Sequence, residues 1–130
     1  MTDPSTPDTA EIAGLFDIWN AALADGDPEI VAELYAPDAV LLPTISNRPR
    51  TDRAGIIDYF EEFLKARPQG RIVESHLRRL GDLGVHSGVY VFALTGPEGR
   101  REAHARFTFL YRRDPEGWRI IEHHSSLMPE

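Results

Sequence analysis

The chain has 130 residues and a formal net charge of −7 at pH 7, because 21 acidic residues outnumber 14 basic ones. This acidic balance argues against nucleic acid and anionic membranes as main partners, since both attract cationic proteins. The absence of cysteine excludes disulfides, thiolate catalysis and thiolate metal sites.

The first residues are polar and acidic, without the basic and apolar segments typical of signal or transit peptides. No apolar run approaches the roughly 20 residues that cross a bilayer. We therefore expect a cytoplasmic protein with no membrane partner. Residues 1–7 are predicted to be a flexible tail, and residues 8–130 a single domain large enough to bury one core.

Two helices are predicted first. One begins near Thr6 and ends at Gly26, and its apolar residues recur at helical spacing. A shorter helix follows Asp27. Its apolar positions are Ile30, Val31, Leu34 and Tyr35. Pro37 is predicted to stop it, because proline cannot continue a helix.

Residues 39–42 read as a short buried strand, and residues 43–50 as a loop rich in turn residues. A third helix is predicted to start near Thr51 or Asp52 and to end before residues 68–70. Its apolar stripe includes Tyr59.

The second half of the chain predicts a meander of strands of about ten residues. Turn sequences at 81–84, 96–99 and 114–117 separate these strands. Helices first and strands second indicate an α+β fold, in which one antiparallel sheet carries the helices of the N-terminal half on one face.

The last strand has the most informative pattern, because His123 and Ser125 share one face while His124 and Ser126 share the other. If Arg113 pairs with Trp118, His123 lies opposite Thr108 and Ser125 opposite Arg106. This pairing groups Arg106, Thr108, His123 and Ser125, although a β-bulge would shift it by one residue. The other face is then the more apolar one. Its residues are Ala103, Ala105, Phe107, Phe109, Tyr111, Trp118 and Ile120.

Several motifs resemble the nuclear-transport-factor-two-like cone, and within it the association domain of calcium/calmodulin-dependent protein kinase II. These motifs are residues 59–64, residues 111–114 with 117–118, and the histidine-rich last strand. A closer resemblance is to the iota-class carbonic anhydrases, at residues 41–47, 58–64, 86–90, 105–109 and 123–129. The resemblance implies a cone-shaped, curved antiparallel sheet that encloses a pocket.

The iota-class resemblance implies reversible hydration of carbon dioxide to bicarbonate without a metal. It places the anion among Thr44, Tyr59 and Ser125, with His123 nearby. Hydroxyl groups both donate and accept hydrogen bonds, so three of them can hold an anion and orient a water molecule. His123 could accept the proton of that water, Tyr59 could relay it, and Arg106 could bind the anion. Val40, Leu42 and Ile121 are expected to line the pocket.

Zinc is the alternative cofactor, since most anhydrases use it to activate water. The neighbours His123 and His124 point to opposite faces of a strand, however, and cannot chelate one ion together. We therefore expect no metal site and no cofactor.

Two other functions stay open. A non-catalytic association or small-ligand-binding module would use the pocket for a small acid and assemble, as a homodimer, through the apolar sheet face. An enzyme acting on a polyketide-like ligand would need a deep pocket, whereas a small pocket lined by hydroxyls favours the anhydrase.

Overall fold

Helices cover one face of a five-stranded sheet in the computed structural model, which describes residues 5–44 and 46–129. The helices are α1 (Ser5–Asp25), α2 (Pro28–Ala32) and α3 (Arg53–Phe63), and a 3₁₀ turn (Leu64–Ala66) follows α3. The strands are β1 (Tyr35–Leu42), β2 (Gln69–Leu80), β3 (Leu83–Gly96), β4 (Gly99–Asp114) and β5 (Gly117–Leu127). No helix within the described ranges is long and apolar enough to cross a membrane.

The ends of α1 and α3 follow from local chemistry. Helix α1 begins at Ser5, inside the segment 1–7 predicted to be a tail, and residues 1–4 of that segment lie outside the described residues. Gly26 ends α1 with φ of +78°, a conformation that glycine adopts without a steric penalty. The Asp52 carboxylate accepts a hydrogen bond of 2.7 Å from the Gly55 amide, which confirms the predicted start of α3.

The prediction for the segment after α2 is wrong. Helix α2 ends at Ala32, and β1 already begins at Tyr35 instead of residue 39. The Ile120 amide donates to the Leu34 carbonyl at 2.9 Å, and Tyr35 then pairs with Ile120 of β5. This pairing with a distant strand overrides the helical spacing of the apolar residues, so Tyr35 lies in a strand.

The sheet has the strand order β1-β5-β4-β3-β2. Strands β2 to β5 form the predicted antiparallel meander, whereas β1 pairs with β5 in parallel. The prediction of an entirely antiparallel sheet is therefore wrong at β1. The α+β class is confirmed: a curved, unclosed sheet carries three helices from the N-terminal half of the chain.

A bulge between β4 and β5 shifts the predicted pairing by one residue. Leu110 pairs with Glu122 and Tyr111 with Ile120, so that Ile121 is an extra residue in β5. Consequently His123 lies opposite Phe109, not opposite Thr108.

The same shift places Ser125 opposite Phe107, while Arg106 lies opposite Ser126. Because paired residues point to the same face, Arg106 is on the face away from Ser125, and its side chain is exposed. The predicted grouping of Arg106 with His123 and Ser125 is wrong.

The face that carries Phe107 and Phe109 is the inner face of the sheet, packed under the helices. The Trp19 ring of α1 meets the Phe109 ring edge-on at 5.3 Å between centroids, and both residues are buried. The prediction that this apolar face drives assembly is therefore wrong, because helices of the same chain already cover it. His123 and Ser125 share this inner face.

Candidate functional site

A small cavity lies between the inner face of the sheet, α1 and α3. Its lining residues are Trp19, Leu41, Pro43, Thr44, Tyr59, Phe60, Phe63, Tyr90, Phe92, His123 and Ser125. Its volume is about 20 Å³, the space of one or two water molecules. The lining is apolar except at one side, where hydroxyl groups and the imidazole meet.

Four of the five predicted site residues line this cavity, and Arg106 does not. Strand alternation directs His123 and Ser125 inward, where they are 3% and 5% exposed. Thr44 follows the end of β1, and Tyr59 lies on the buried side of α3. Val40, Leu42 and Ile121 were expected in the lining but are absent from it. On β1 the residue that faces inward is Leu41, which lies between Val40 and Leu42. On β5, Ile121 is the extra residue of the bulge.

A continuous series of hydrogen bonds runs from α1 to the cavity, and we name it the polar chain. It consists, in order, of Trp19, Tyr35, His123, Tyr90, Ser125 and Thr44. These six side chains come from α1, three strands of the sheet and the segment after β1. The polar chain therefore links elements that are far apart in the sequence.

The first half of the polar chain is buried beneath α1. The Trp19 Nε1–H donates to the Tyr35 hydroxyl at 3.2 Å, and that hydroxyl lies 2.8 Å from Nδ1 of His123. The imidazole stacks on the Phe109 ring with 4.0 Å between centroids. His123 is thus held in one orientation by a phenol at its rim and an aromatic ring on its face.

The second half of the polar chain ends at the cavity. Nε2 of His123 lies 3.3 Å from the Tyr90 hydroxyl, which donates to Ser125 Oγ at 2.7 Å. Ser125 Oγ is in turn hydrogen-bonded to Thr44 Oγ1. Both nitrogens of His123 are therefore engaged by tyrosines.

Burial keeps every titratable member of the polar chain neutral at neutral pH. Burial, with a smaller contribution from the neighbouring His124, lowers the pKa of His123 to about 3. It also raises the pKa of Tyr35 and of Tyr90 above the ordinary value for tyrosine. An imidazole with so low a pKa and two occupied nitrogens is poorly suited to take a proton from a bound water.

Tyr59 faces the cavity from the helical side, opposite the polar chain. Its side chain is 7% exposed, and burial raises the pKa of its phenol. The Arg50 guanidinium lies 5.6 Å from the centre of the Tyr59 ring and is anchored by Asp58 at 2.7 Å. Among the described residues the Tyr59 hydroxyl has no hydrogen-bond partner, so it is free to donate to a ligand.

Sequence reasoning missed three members of the polar chain: Trp19, Tyr35 and Tyr90. Trp19 lies on the apolar stripe of a helix, where a residue with only a packing role is equally expected. The apolar spacing predicts a helix at Tyr35, which separates it from the sheet. Tyr90 lies at an inward position of β3, beside the inward His86 and Phe92 in the alternation. That alternation is the signal that could have found it.

A zinc ion does not fit the residues that line the cavity. No group of three His, Asp or Glu side chains in the described ranges could hold a metal ion. His123 and His124 lie on opposite faces of β5, the former buried and the latter exposed.

Sequence comparison matches residues 8–129 to the profile described as "Calcium/calmodulin dependent protein kinase II association domain". A protein from Xanthomonas campestris, named for the same association domain, is 52% identical. Its structure has a TM-score of 0.90 to this one, over 92% of this chain and 87% of that chain. Among curated proteins, no sequence matched the chain.

More distant structures share the fold. A protein from Streptomyces avermitilis, named as a dehydratase of the NTF2-like family, is 17% identical, with a TM-score of 0.85 over 98% of this chain and all (100%) of that chain. The S. rosetta CaMKII hub is 14% identical, with a TM-score of 0.78 over 92% of this chain and 96% of that chain. At these identities the similarity shows the fold alone.

Proposed function

Since the chain belongs to the calcium/calmodulin-dependent protein kinase II association-domain family, we propose that it is an association module that binds a small polar ligand in its cavity. Family membership supports assembly, and the cavity supports ligand binding. The proposal of a ligand rests on one observation: the side chains of Thr44, Tyr59 and Ser125 line the same small cavity. Hydroxyl groups beside apolar walls are typical of a site for a small molecule with a polar end.

The size of the cavity restricts the ligand. A cavity of about 20 Å³ restricts the ligand to one of very few heavy atoms, and bicarbonate and the shortest carboxylic acids are the candidates. A fused-ring ligand would require the rings of Trp19, Tyr59 and Phe63 to move away. A polyketide-type substrate is therefore disfavoured.

Trp19 offers a direct binding assay, because its indole lines the cavity. In a Trp118→Phe background, which leaves Trp19 as the sole tryptophan, titration with acetate or bicarbonate should change the fluorescence in a saturable way. Ser125→Ala should weaken binding about 5- to 10-fold, the effect of one lost hydrogen bond. Ser126→Ala is the matched control, since Ser126 lies next to Ser125 but on the other face, and it should leave the affinity unchanged. A signal that does not saturate, or that is weakened equally by both variants, would refute this ligand site.

Association is proposed to use the outer face of the sheet, because helices cover the inner one. The outer face has a groove lined by Leu42, Val85, Thr108, Leu110, Glu122 and His124. Its aliphatic residues are only partly buried, and its exposed residues Glu122 and His124 could pair with each other across a two-fold axis. A second copy of the same chain fits such a self-complementary surface, which supports a homodimer.

Carbonic anhydrase is the second candidate function. One observation favours it: Thr44, Tyr59, His123 and Ser125, the four residues that the iota-class resemblance implies, line the same cavity. The contacts of His123 change its expected role, however. Because Tyr35 and Tyr90 engage both of its nitrogens, His123 would position the hydroxyl groups and not accept the proton of water.

Stopped-flow hydration of carbon dioxide on chelator-treated protein tests this candidate. Activity that survives chelation and falls in Ser125→Ala would support it, with Ser126→Ala as the control. Rates equal to those of buffer would refute the anhydrase, and the ligand-binding association module would be the one remaining candidate function. Activity that returns only on addition of zinc would overturn the metal-free form.

A further inference from the structure

The buried hydrogens of the polar chain have a definite order. Trp19 Nε1–H can only donate, so the Tyr35 oxygen accepts from it. The single Tyr35 hydrogen then has one neighbouring acceptor among the described residues, Nδ1 of His123 at 2.8 Å. The reverse bond, from Nδ1–H to Tyr35, would leave the phenol hydrogen buried without an acceptor, at a cost comparable to a lost hydrogen bond.

This order fixes the tautomer of His123. A neutral imidazole carries one hydrogen, and Nδ1 is the acceptor, so the hydrogen is on Nε2. Nε2–H points to the Tyr90 oxygen at 3.3 Å. Tyr90 can then donate its own hydrogen to Ser125 Oγ at 2.7 Å.

The order continues to the cavity. Ser125 Oγ accepts from Tyr90, and a hydrogen from either Ser125 or Thr44 joins Ser125 Oγ to Thr44 Oγ1. Neither hydroxyl has a further partner in the described part of the chain, and both residues line the cavity. The remaining hydroxyl hydrogen of this Ser125–Thr44 pair is therefore the free end of the polar chain, strengthened by the polarised bonds behind it.

We propose that Tyr35 holds His123 in the Nε2–H tautomer and thereby directs the polar chain so that the Ser125–Thr44 pair donates a hydrogen bond into the cavity. The cavity then selects a ligand that presents an oxygen acceptor, such as a carboxylate or bicarbonate. A ligand that presents only donors, such as an alkylammonium ion, leaves this hydroxyl hydrogen without an acceptor. Tyr35 is a positioning residue, since it acts through His123 and does not line the cavity. The ligand class rests on the proposed ligand-binding function, whereas the tautomer does not.

Nitrogen-15 NMR of histidine-labelled protein tests the tautomer without any ligand, because the protonated and unprotonated ring nitrogens have distinct shifts. We expect His123 to show unprotonated Nδ1 and protonated Nε2 at pH 7. Tyr35→Phe should produce a mixture of the two tautomers, and Tyr111→Phe should not. A wild-type protein with protonated Nδ1, or a Tyr35→Phe protein with the wild-type pattern, would overturn the inference.

Binding of matched small ions tests the ligand class. Acetate and bicarbonate should bind at least about 10-fold more tightly than methylammonium, and Thr44→Val should reduce acetate binding about 5- to 10-fold. Thr44 follows the strand end and is partly exposed, so this variant should fold even if Tyr35→Phe does not. Methylammonium binding equal to that of acetate would overturn the ligand class. If neither ion binds, the proposed ligand-binding function is wrong. The NMR measurement of the His123 tautomer still tests the role of Tyr35 in that case.

Discussion

The Tyr35 hydroxyl lies 2.8 Å from Nδ1 of His123, although 88 residues separate them in the sequence. The contact exists because β1 pairs in parallel with β5 and directs Tyr35 toward the inner face of the sheet. Because of this contact, His123 is the centre of a buried series of hydrogen bonds and is no longer a candidate base. The chemical groups left to meet a ligand are the hydroxyls of Thr44, Tyr59 and Ser125.

Removing the Tyr35 hydroxyl should destabilise the protein. Tyr35→Phe leaves the Trp19 donor and Nδ1 of His123 buried without partners, so the free energy of unfolding should fall by about 1–3 kcal/mol. Tyr111→Phe is a matched control, because the Tyr111 hydroxyl is buried without a hydrogen-bond partner, and its removal should cost nothing. Urea denaturation of both variants measures the difference. Equal effects would show that the Tyr35 bonds contribute little.

Stability should fall as the pH drops below 6.5. Burial lowers the pKa of His86 to about 4 and that of His123 to about 3 in the folded protein, from 6.5. The unfolded chain therefore binds more protons than the folded one between these values. The free energy of unfolding should decrease by up to about 1.4 kcal/mol per pH unit for each histidine.

Urea denaturation at several pH values from 4.5 to 8 measures this slope. His123→Gln should reduce it, while Tyr111→Phe, which removes a buried hydroxyl and alters no histidine, should leave it unchanged. A slope that is the same in the wild-type protein and in His123→Gln would contradict the buried neutral imidazole.

Gly88 should not tolerate a side chain. It has φ of +155°, and a Cβ atom there would collide with the backbone carbonyl of Glu74, beside the bulge in β2. Gly88→Ala should lower the free energy of unfolding by more than about 2 kcal/mol. Gly96→Ala is the control, since no atom lies within 4 Å of its Cβ position. Similar melting temperatures for the two variants would contradict the close approach.

The outer-face interface predicts the effect of a charge in the groove. Leu110→Glu should convert a dimer to a monomer in sedimentation experiments, because an unpaired carboxylate would be buried between two copies. Ile18→Lys changes an apolar residue that is 54% exposed on α1 and should leave the assembly unchanged. A wild-type protein that sediments only as a monomer at micromolar concentration would rule the homodimer out.

Local sequence signals were sufficient for the elements whose boundaries depend on nearby residues. Asp52 and Gly26 mark helix ends through their own chemistry, and the turns of the meander follow from glycine and proline. Strand alternation alone also predicts that His123 and Ser125 share one face of the sheet, although it does not show which face is the inner one. These features need no knowledge of distant contacts.

Features that depend on distant pairing could not be predicted. The extra residue Ile121 shifts the register of β5, and no local signal in the sequence distinguishes it from its neighbours. Arg106 was therefore assigned to the wrong face. Tyr35 was assigned to a helix because its strand forms only through pairing with β5. The contact between Tyr35 and His123 thus became visible only in the folded chain.

The most direct measurement is an NMR titration of ¹⁵N-labelled protein with bicarbonate at constant pH. A ligand held by the cavity hydroxyls should cause saturable shifts at the backbone amides of Thr44, Tyr90 and Ser125, and these shifts should weaken in Thr44→Val. Amides remote from the cavity, such as those of Gly81 and Gly99 at the hairpin turns, should not move. Shifts confined to such remote amides, or none that saturate, would contradict a ligand site in the cavity.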